Sequence, residues 1–224
     1  MTDQNVSQTD RLHLSDFHGR ERDGWDSRQI TDALVCDLKQ MQIEHGLRPD
    51  LIFFTGDLVF GAVSGESMDD QYLLVRDFLD AIRKAFIPEI PIRSLYLVPG
   101  NHDVDRNEIT PDQTAWIRQP NLKLDDVITM MRDEKNKQWQ RFMERLLNYR
   151  NFLTSYNLLH LLPGNPHLIW TDALEIHNTR VGIAGLNSAW SLGGFKIALR
   201  LAGSPEMLPY IPAKKIKFLS IKLT

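Results

Sequence analysis

Three short apolar segments in the first half of the chain each end in a polar cluster, and helical patterns lie between them. Leu12-His13-Leu14-Ser15 runs into Asp16-Phe17-His18-Gly19. Leu51-Ile52-Phe53-Phe54, introduced by Pro49-Asp50, runs into Thr55-Gly56-Asp57. Leu95-Tyr96-Leu97-Val98 runs into Pro99-Gly100-Asn101-His102-Asp103. Continuous apolar runs of this length, bounded by turn residues, predict strands covered on both faces. Between the first two, Asp26 or Ser27 caps a helix whose apolar face is Ile30, Leu34, Leu38 and Met41, and Gly46 ends it. After a loop from Gly61 to Ser67, the pair Ser67 and Asp70 opens a second helix with Val75, Phe78, Leu79, Ile82 and Phe86 on one face. Pro88 and Pro91 close it. Strand, helix, strand, helix, strand with short turns predicts an α/β fold around a parallel sheet.

From about Leu122 to Tyr156 the pattern is helical, with Trp139, Phe142, Met143, Leu146, Arg150 and Leu153 at helical spacing. This segment is expected to be an insertion that caps or flanks the site, its aromatic residues packed inward. Leu168-Ile169-Trp170, Ala173 to His177 and Val181 to Leu186 read as further strands. Asn178-Thr179-Arg180 is the expected turn of a hairpin between the last two. The segment from Gly185 to Trp190 either lines the pocket or makes an internal turn.

Charge divides the chain. Residues 191–224 hold six Lys/Arg and one Asp/Glu, leaving 20 and 28 (26 minus 6, 29 minus 1) for residues 1–190. The first part therefore carries −8 and the last +5. The expected organisation is a domain over 1–190, with its helical insertion at about 122–158, and a basic tail over 191–224. The overall charge of −3 provides no basic field to draw the chain onto nucleic acid or anionic lipid. One cysteine, Cys36, excludes an internal disulfide framework and suits a reducing cytosol. Within the first helix it is expected as a buried small apolar residue. A polar start and the lack of any apolar run of about 20 residues argue for a cytoplasmic protein without a membrane span.

In a parallel sheet the strand C-termini share one edge, where ligands bind. Asp16, His18, Asp57, Asn101 and His102 are thus delivered to one place. Carboxylate with imidazole suits Mn, Fe, Zn or Ni better than Ca or Mg. Two such ions about 3.5–4 Å apart activate a bridging water and clamp an in-line displacement at phosphorus.

Ser15-Asp16-Phe17-His18, Thr55-Gly56-Asp57 and Pro99-Gly100-Asn101-His102-Asp103 resemble the D-x-H, G-D and G-N-H-[D/E] motifs of the calcineurin-like metallophosphoesterase superfamily, in the same order. The resemblance extends from about Arg11 to Trp190, the N-terminal half of that catalytic domain. It implies a layered sheet sandwich with flanking helices, incomplete at its C-terminal side. It also implies hydrolysis of phosphate mono- or diesters by two divalent metals, manganese foremost. Asp16 and His18 would hold the first metal, Asp57 both, and Asn101 the second. His102 would sit over the substrate phosphate as a general acid, with Asp103 orienting its imidazole.

The sequence departs from the family by having no G-H-x-H motif. His13, His45, His160, His167 and His177 lie outside such a context and are expected to be structural or superficial. A second reading is therefore a truncated, catalytically incomplete fragment with a binding or regulatory role. An open sheet edge would then call for a partner or self-association. Nucleotides, nucleic acids and phosphoproteins all remain open as substrates. Gly182, Gly185 and Gly193-Gly194 make no phosphate-cradling loop. Arg20-Glu21-Arg22, Asp105 and Arg106 are expected as solvated loop charge.

Overall fold

The three apolar runs become three parallel strands. The computed structural model describes residues 9–20, 24–62, 65–119, 123–133, 135–162, 164 and 167–191, without the side chains of 24–26, 124 and 191. In it β1 (Arg11–Leu14), β2 (Leu51–Thr55) and β3 (Leu95–Val98) pair in the order β1-β2-β3. The register sets Leu14 beside Phe54 and Thr55 beside Val98, so all three strands end at one edge. Leu51 to Phe54 and Leu95 to Leu97 are buried, as sheet covered on both faces requires. In β1, by contrast, Arg11 and His13 are exposed and Leu12 and Leu14 half-buried. Among the described residues β1 pairs only with β2, so it is an edge strand and not the doubly covered one expected.

Helix α1 (Gly24–His45) connects β1 to β2, and α2 (Met68–Lys84) connects β2 to β3. Gly46, at φ +66°, ends α1, its N–H donating to the Gln42 carbonyl. The buried face of α1 differs from the expected one. Ile30 is 63% exposed and Met41 39% exposed, while Leu38 is buried and Leu34 and Val35 pack beside it. The helix is held in that rotation by Gln42, whose carboxamide accepts from the Ile87 N–H (2.9 Å) and donates to the Ile87 carbonyl (2.8 Å). Cys36 is consequently exposed, not buried.

Helix α2 follows its pattern closely. Ser67 caps it by accepting from the Asp70 N–H at 3.1 Å. Val75, Phe78, Leu79 and Ile82 are all buried, each contributing about 1.5–3 kcal/mol. At its far end Arg83 donates to the Ile90 carbonyl (2.8 Å) and pairs with Asp80 and Glu89.

The expected insertion contains three helices, α4 (Leu124–Arg132), α5 (Lys137–Glu144) and α6 (Leu147–Ser155), preceded by α3 (Pro111–Ile117). The Phe152 ring of α6 stacks on Tyr72 of α2 with centroids 4.8 Å apart. Trp139 and Phe142 of α5 are buried against Trp190. Trp190 and Asn187, themselves buried, thus belong to the interior beside α5. Arg150 is exposed.

The hairpin consists of β4 (Trp170–Ile176) and β5 (Thr179–Gly185), paired antiparallel. Its turn is His177-Asn178, at φ +48° and +61°, so Thr179 and Arg180 lie in the strand rather than in the turn. A two-residue loop with both φ positive matches the twist of the flanking strands. Trp170 starts β4, packs on Gly185 and donates to the Leu97 carbonyl at 3.2 Å. The tail beyond residue 191, with Gly193-Gly194, and Glu21 and Arg22 of the charged cluster lie outside the described residues.

The histidines off the strand edge have structural partners. His13 meets Thr55 Oγ1 (2.7 Å), and His177 meets Asp50 (3.0 Å). Trp139 Nε1 donates to His167 Nδ1 at 2.7 Å. His160 Nε2 lies 2.8 Å from the Leu95 carbonyl, beside Tyr96. Burial holds the His160 pKa below its ordinary 6.5; Arg93 adds to this, while the Leu95 carbonyl and Asp172 oppose it. The unfolded chain therefore binds more protons in that window, and stability rises with pH. The contribution is present above 6.5 and lost as pH falls through the lower folded value. Thermal unfolding between about pH 5 and about pH 8 is expected to show a smaller loss on acidification in His160→Gln than in the parent. Equal slopes would contradict the assignment.

Candidate metal centre

Beyond the sheet the first two strands do not part. The Asp16 N–H donates to the Gly56 carbonyl (3.2 Å), His18 to Asp57 (3.1 Å) and Gly19 to Leu58 (2.9 Å). A parallel bridge between Gly19 and Val59 ends this extension. The third loop joins through Gly56, whose N–H donates to the Val98 carbonyl at 3.0 Å.

Asp16, His18 and Asp57 have φ of +57°, +50° and +54°. Left-handed conformations in non-glycine residues cost about 1–3 kcal/mol each, and persist where surrounding structure enforces them. Here the enforcement is the backbone ladder. One donor atom from each of the three residues lies within 4.8 Å of the others. His18 Nε2 is 3.9 Å from Asp16 Oδ1. Ligand atoms around one cation at about 2.0–2.2 Å sit up to about 4.4 Å apart, so the group needs at most a small contraction.

Two further features fit a cation. Among the described residues His18 Nδ1 is buried without a hydrogen-bond partner, so either ring nitrogen, but not both, is open to one cation. A Cβ on Gly100 would lie 2.2 Å from Asp57 Oδ1 and 2.3 Å from its N–H nitrogen, so glycine there keeps the carboxylate's place clear. Two carboxylates and an imidazole suit a borderline divalent ion. The residues present fit such a metal.

Asn101 is exposed in the third loop, next to His102. The His102 N–H donates to Asp57 Oδ1 at 2.9 Å, and its ring lies edge-on to that of His18, centroids 4.6 Å apart. Its Nδ1 is 2.6 Å from the Phe60 carbonyl. A carbonyl only accepts, so this bond requires the proton on Nδ1.

Among the described residues the hydrogen bonds of Asp103 run to two backbone N–H groups and to Tyr72, and none runs to the His102 ring. It is buried and accepts from the Gly100 N–H (2.8 Å), the Leu58 N–H (3.3 Å) and Tyr72 Oη (3.0 Å). Burial pushes its pKa up to about 6; those three donors pull it down, and the Asp57 charge pushes it up again. Asp103 ties the second and third loops together, and the Phe60 carbonyl orients His102. A backbone acceptor leaves no side-chain signal in sequence. Gln71, which also reaches these loops, had one: a carboxamide standing in the apolar row of α2.

Arg20 lies 4.4 Å from the Phe60 ring centroid and pairs with Glu66 at 3.4 Å, so it is not the solvated charge expected. Asp105 caps the turn at 106–108 by accepting from the Asn107 N–H. Arg106 is exposed.

A parallel α/β sheet thus carries a carboxylate–imidazole group at its C-terminal edge, a candidate cation site. A family profile described as calcineurin-like phosphoesterase matches residues 11–131, more than half of the chain. This chain belongs to the calcineurin-like phosphoesterase family. A comparison with curated protein sequences finds no match. No described helix is long and apolar enough to cross a membrane.

Gly100→Ala is expected to destabilise the fold by about 1–3 kcal/mol through overpacking and to weaken Mn²⁺ binding by displacing Asp57. Thermal unfolding together with Mn²⁺ titration measures both, and unchanged Mn²⁺ affinity would contradict the packing described.

Proposed function

We propose that this chain hydrolyses phosphate mono- or diesters with two divalent cations. Asp16 and His18 hold the first cation, Asp57 is shared, and Asn101 serves the second. The observation that carries this reading is the gathering of Asp16, His18 and Asp57 in enforced left-handed conformations beside the His102 ring. When bound, such cations supply an activated water and neutralise charge developing at phosphorus.

The protein's own contribution is orientation. Asp57 accepts from the His102 N–H and so sets the third loop against the first two. With Nδ1–H held by the Phe60 carbonyl, His102 acts as the acid through Nε2 in its doubly protonated form: Nε2–H goes to the leaving oxygen and the ring is left neutral with its proton on Nδ1. Asp103 braces the loop from beneath.

The same proposal takes residues 1–190 as one cytoplasmic domain of layered-sandwich type. The segment at about 122–158 flanks the site, and residues 191–224 form a basic appendage. A charge of −8 over the first 190 residues (20 minus 28) favours small phosphoesters or phosphoproteins over long nucleic acid.

A second reading is cation binding without turnover. It is favoured by the sequence having no G-H-x-H motif, whose histidines complete the ligand sets of both cations in the family.

Hydrolysis of a chromogenic phosphodiester by the full chain with added Mn²⁺, with and without chelator, separates the readings. Chelator-sensitive turnover is expected, abolished in Asp57→Asn and reduced about 100-fold or more in His102→Ala. Retained turnover in Asp57→Asn would contradict the proposal. Mn²⁺ binding by folded protein with no turnover would select the second reading.

A further inference from the structure

Helix α2 sends two successive side chains to two different loops. Tyr72 donates to Asp103, and Gln71 engages Gly61. Gln71 is 0% exposed and stands one turn before Val75 on the buried face. A carboxamide among apolar neighbours is disfavoured unless its oxygen and its nitrogen both find partners. Here both find them on a single residue. Gln71 Oε1 accepts from the Gly61 N–H at 3.0 Å, and its Nε2 donates to the Gly61 carbonyl at 2.9 Å.

Gly61 lies flat against His102. Its φ is +100°, and a Cβ there would come within 3.0 Å of the His102 carbonyl oxygen and 3.7 Å of Nδ1. The Gly61 N–H and the Phe60 carbonyl belong to one planar peptide unit and point in opposite directions within it. One edge of that unit is therefore held by Gln71, and the other holds His102 Nδ1 at 2.6 Å. Glycine leaves the plane otherwise able to rotate, because it accepts φ of either sign.

We propose that Gln71 is a positioning residue for His102: by holding the Gly61 N–H it fixes the Phe60–Gly61 peptide plane, whose carbonyl keeps the His102 proton on Nδ1. Its catalytic consequence rests on the general-acid reading of His102 given above. Its structural consequence stands apart from that reading.

Long-range proton–nitrogen correlation spectra of the ¹⁵N-labelled full chain report the His102 tautomer directly, with His102→Ala providing the assignment. The parent is expected to show the Nδ1–H form. Gln71→Met is expected to lose that preference, and Gln71→Glu, whose carboxyl in its protonated form can accept from the Gly61 N–H and donate to its carbonyl, to keep it. Should Gln71→Met not fold, Gln71→Leu gives the same reading. Arg83→Met, which breaks a buried polar anchor at the opposite end of α2, controls for general destabilisation and is expected to keep the parental tautomer. Kinetically, Gln71→Met is expected to lower kcat about 10-fold with KM unchanged. A parental tautomer in the Gln71→Met or Gln71→Leu spectrum, or its loss in Arg83→Met as well, would overturn the proposal. A tautomer change in protein that turns over no substrate would support the positioning role and reject the phosphoesterase reading instead.

Discussion

The site depends on one constraint, the backbone ladder that continues the β1–β2 pairing past the ends of the strands. Three N–H groups, of Asp16, His18 and Gly19, donate in succession to the Gly56, Asp57 and Leu58 carbonyls. A parallel pair normally separates at its loops, because each strand must turn into its own crossover helix. Here the two loops stay paired, and pairing holds Asp16, His18 and Asp57 at positive φ. Asp and His tolerate the left-handed region better than β-branched residues do, so the strained positions of this ladder can be residues with metal-binding side chains.

Helix α2 turns this local device into a stable one. Its apolar face of Val75, Phe78, Leu79 and Ile82 anchors it to the sheet, and its first turns reach out with polar groups. Tyr72 meets Asp103, which in turn accepts from one N–H in each of two loops. Ser67 fixes where the helix starts, and thereby which residues of the next turn face the loops. Packing from the Phe152 ring on Tyr72 extends the support into the helical segment that follows. Metal-site residues, loop backbone and helix thus form one connected structure.

Much of this was legible in the sequence. The three strands lie within one residue of their apolar runs, since short buried segments between Pro, Gly and Asp leave little freedom of placement. Ser67 was readable as a cap, and the shared edge followed from parallel order alone. The face of α1 was misread because Ile30 and Met41 continue the apolar stripe, whereas the helix is rotated by a polar anchor, Gln42 on the Ile87 backbone. The hairpin turn shifted because His177, not only Asn178, adopts the left-handed conformation. The orientation of His102 was illegible for a different reason. Its partner is the Phe60 carbonyl, a group that every residue carries and no residue type announces.

The central claim is that the ladder-held residues Asp16, His18 and Asp57 form a cation site. Titrating Mn²⁺ into the full chain while following the paramagnetic resonance of free Mn²⁺ tests it most directly. The signal is predicted to fall on addition of the parent protein and to remain at its free level with His18→Ala, which keeps the ladder but removes the imidazole. A free signal unaffected by the parent, or equally suppressed by His18→Ala, would contradict the account.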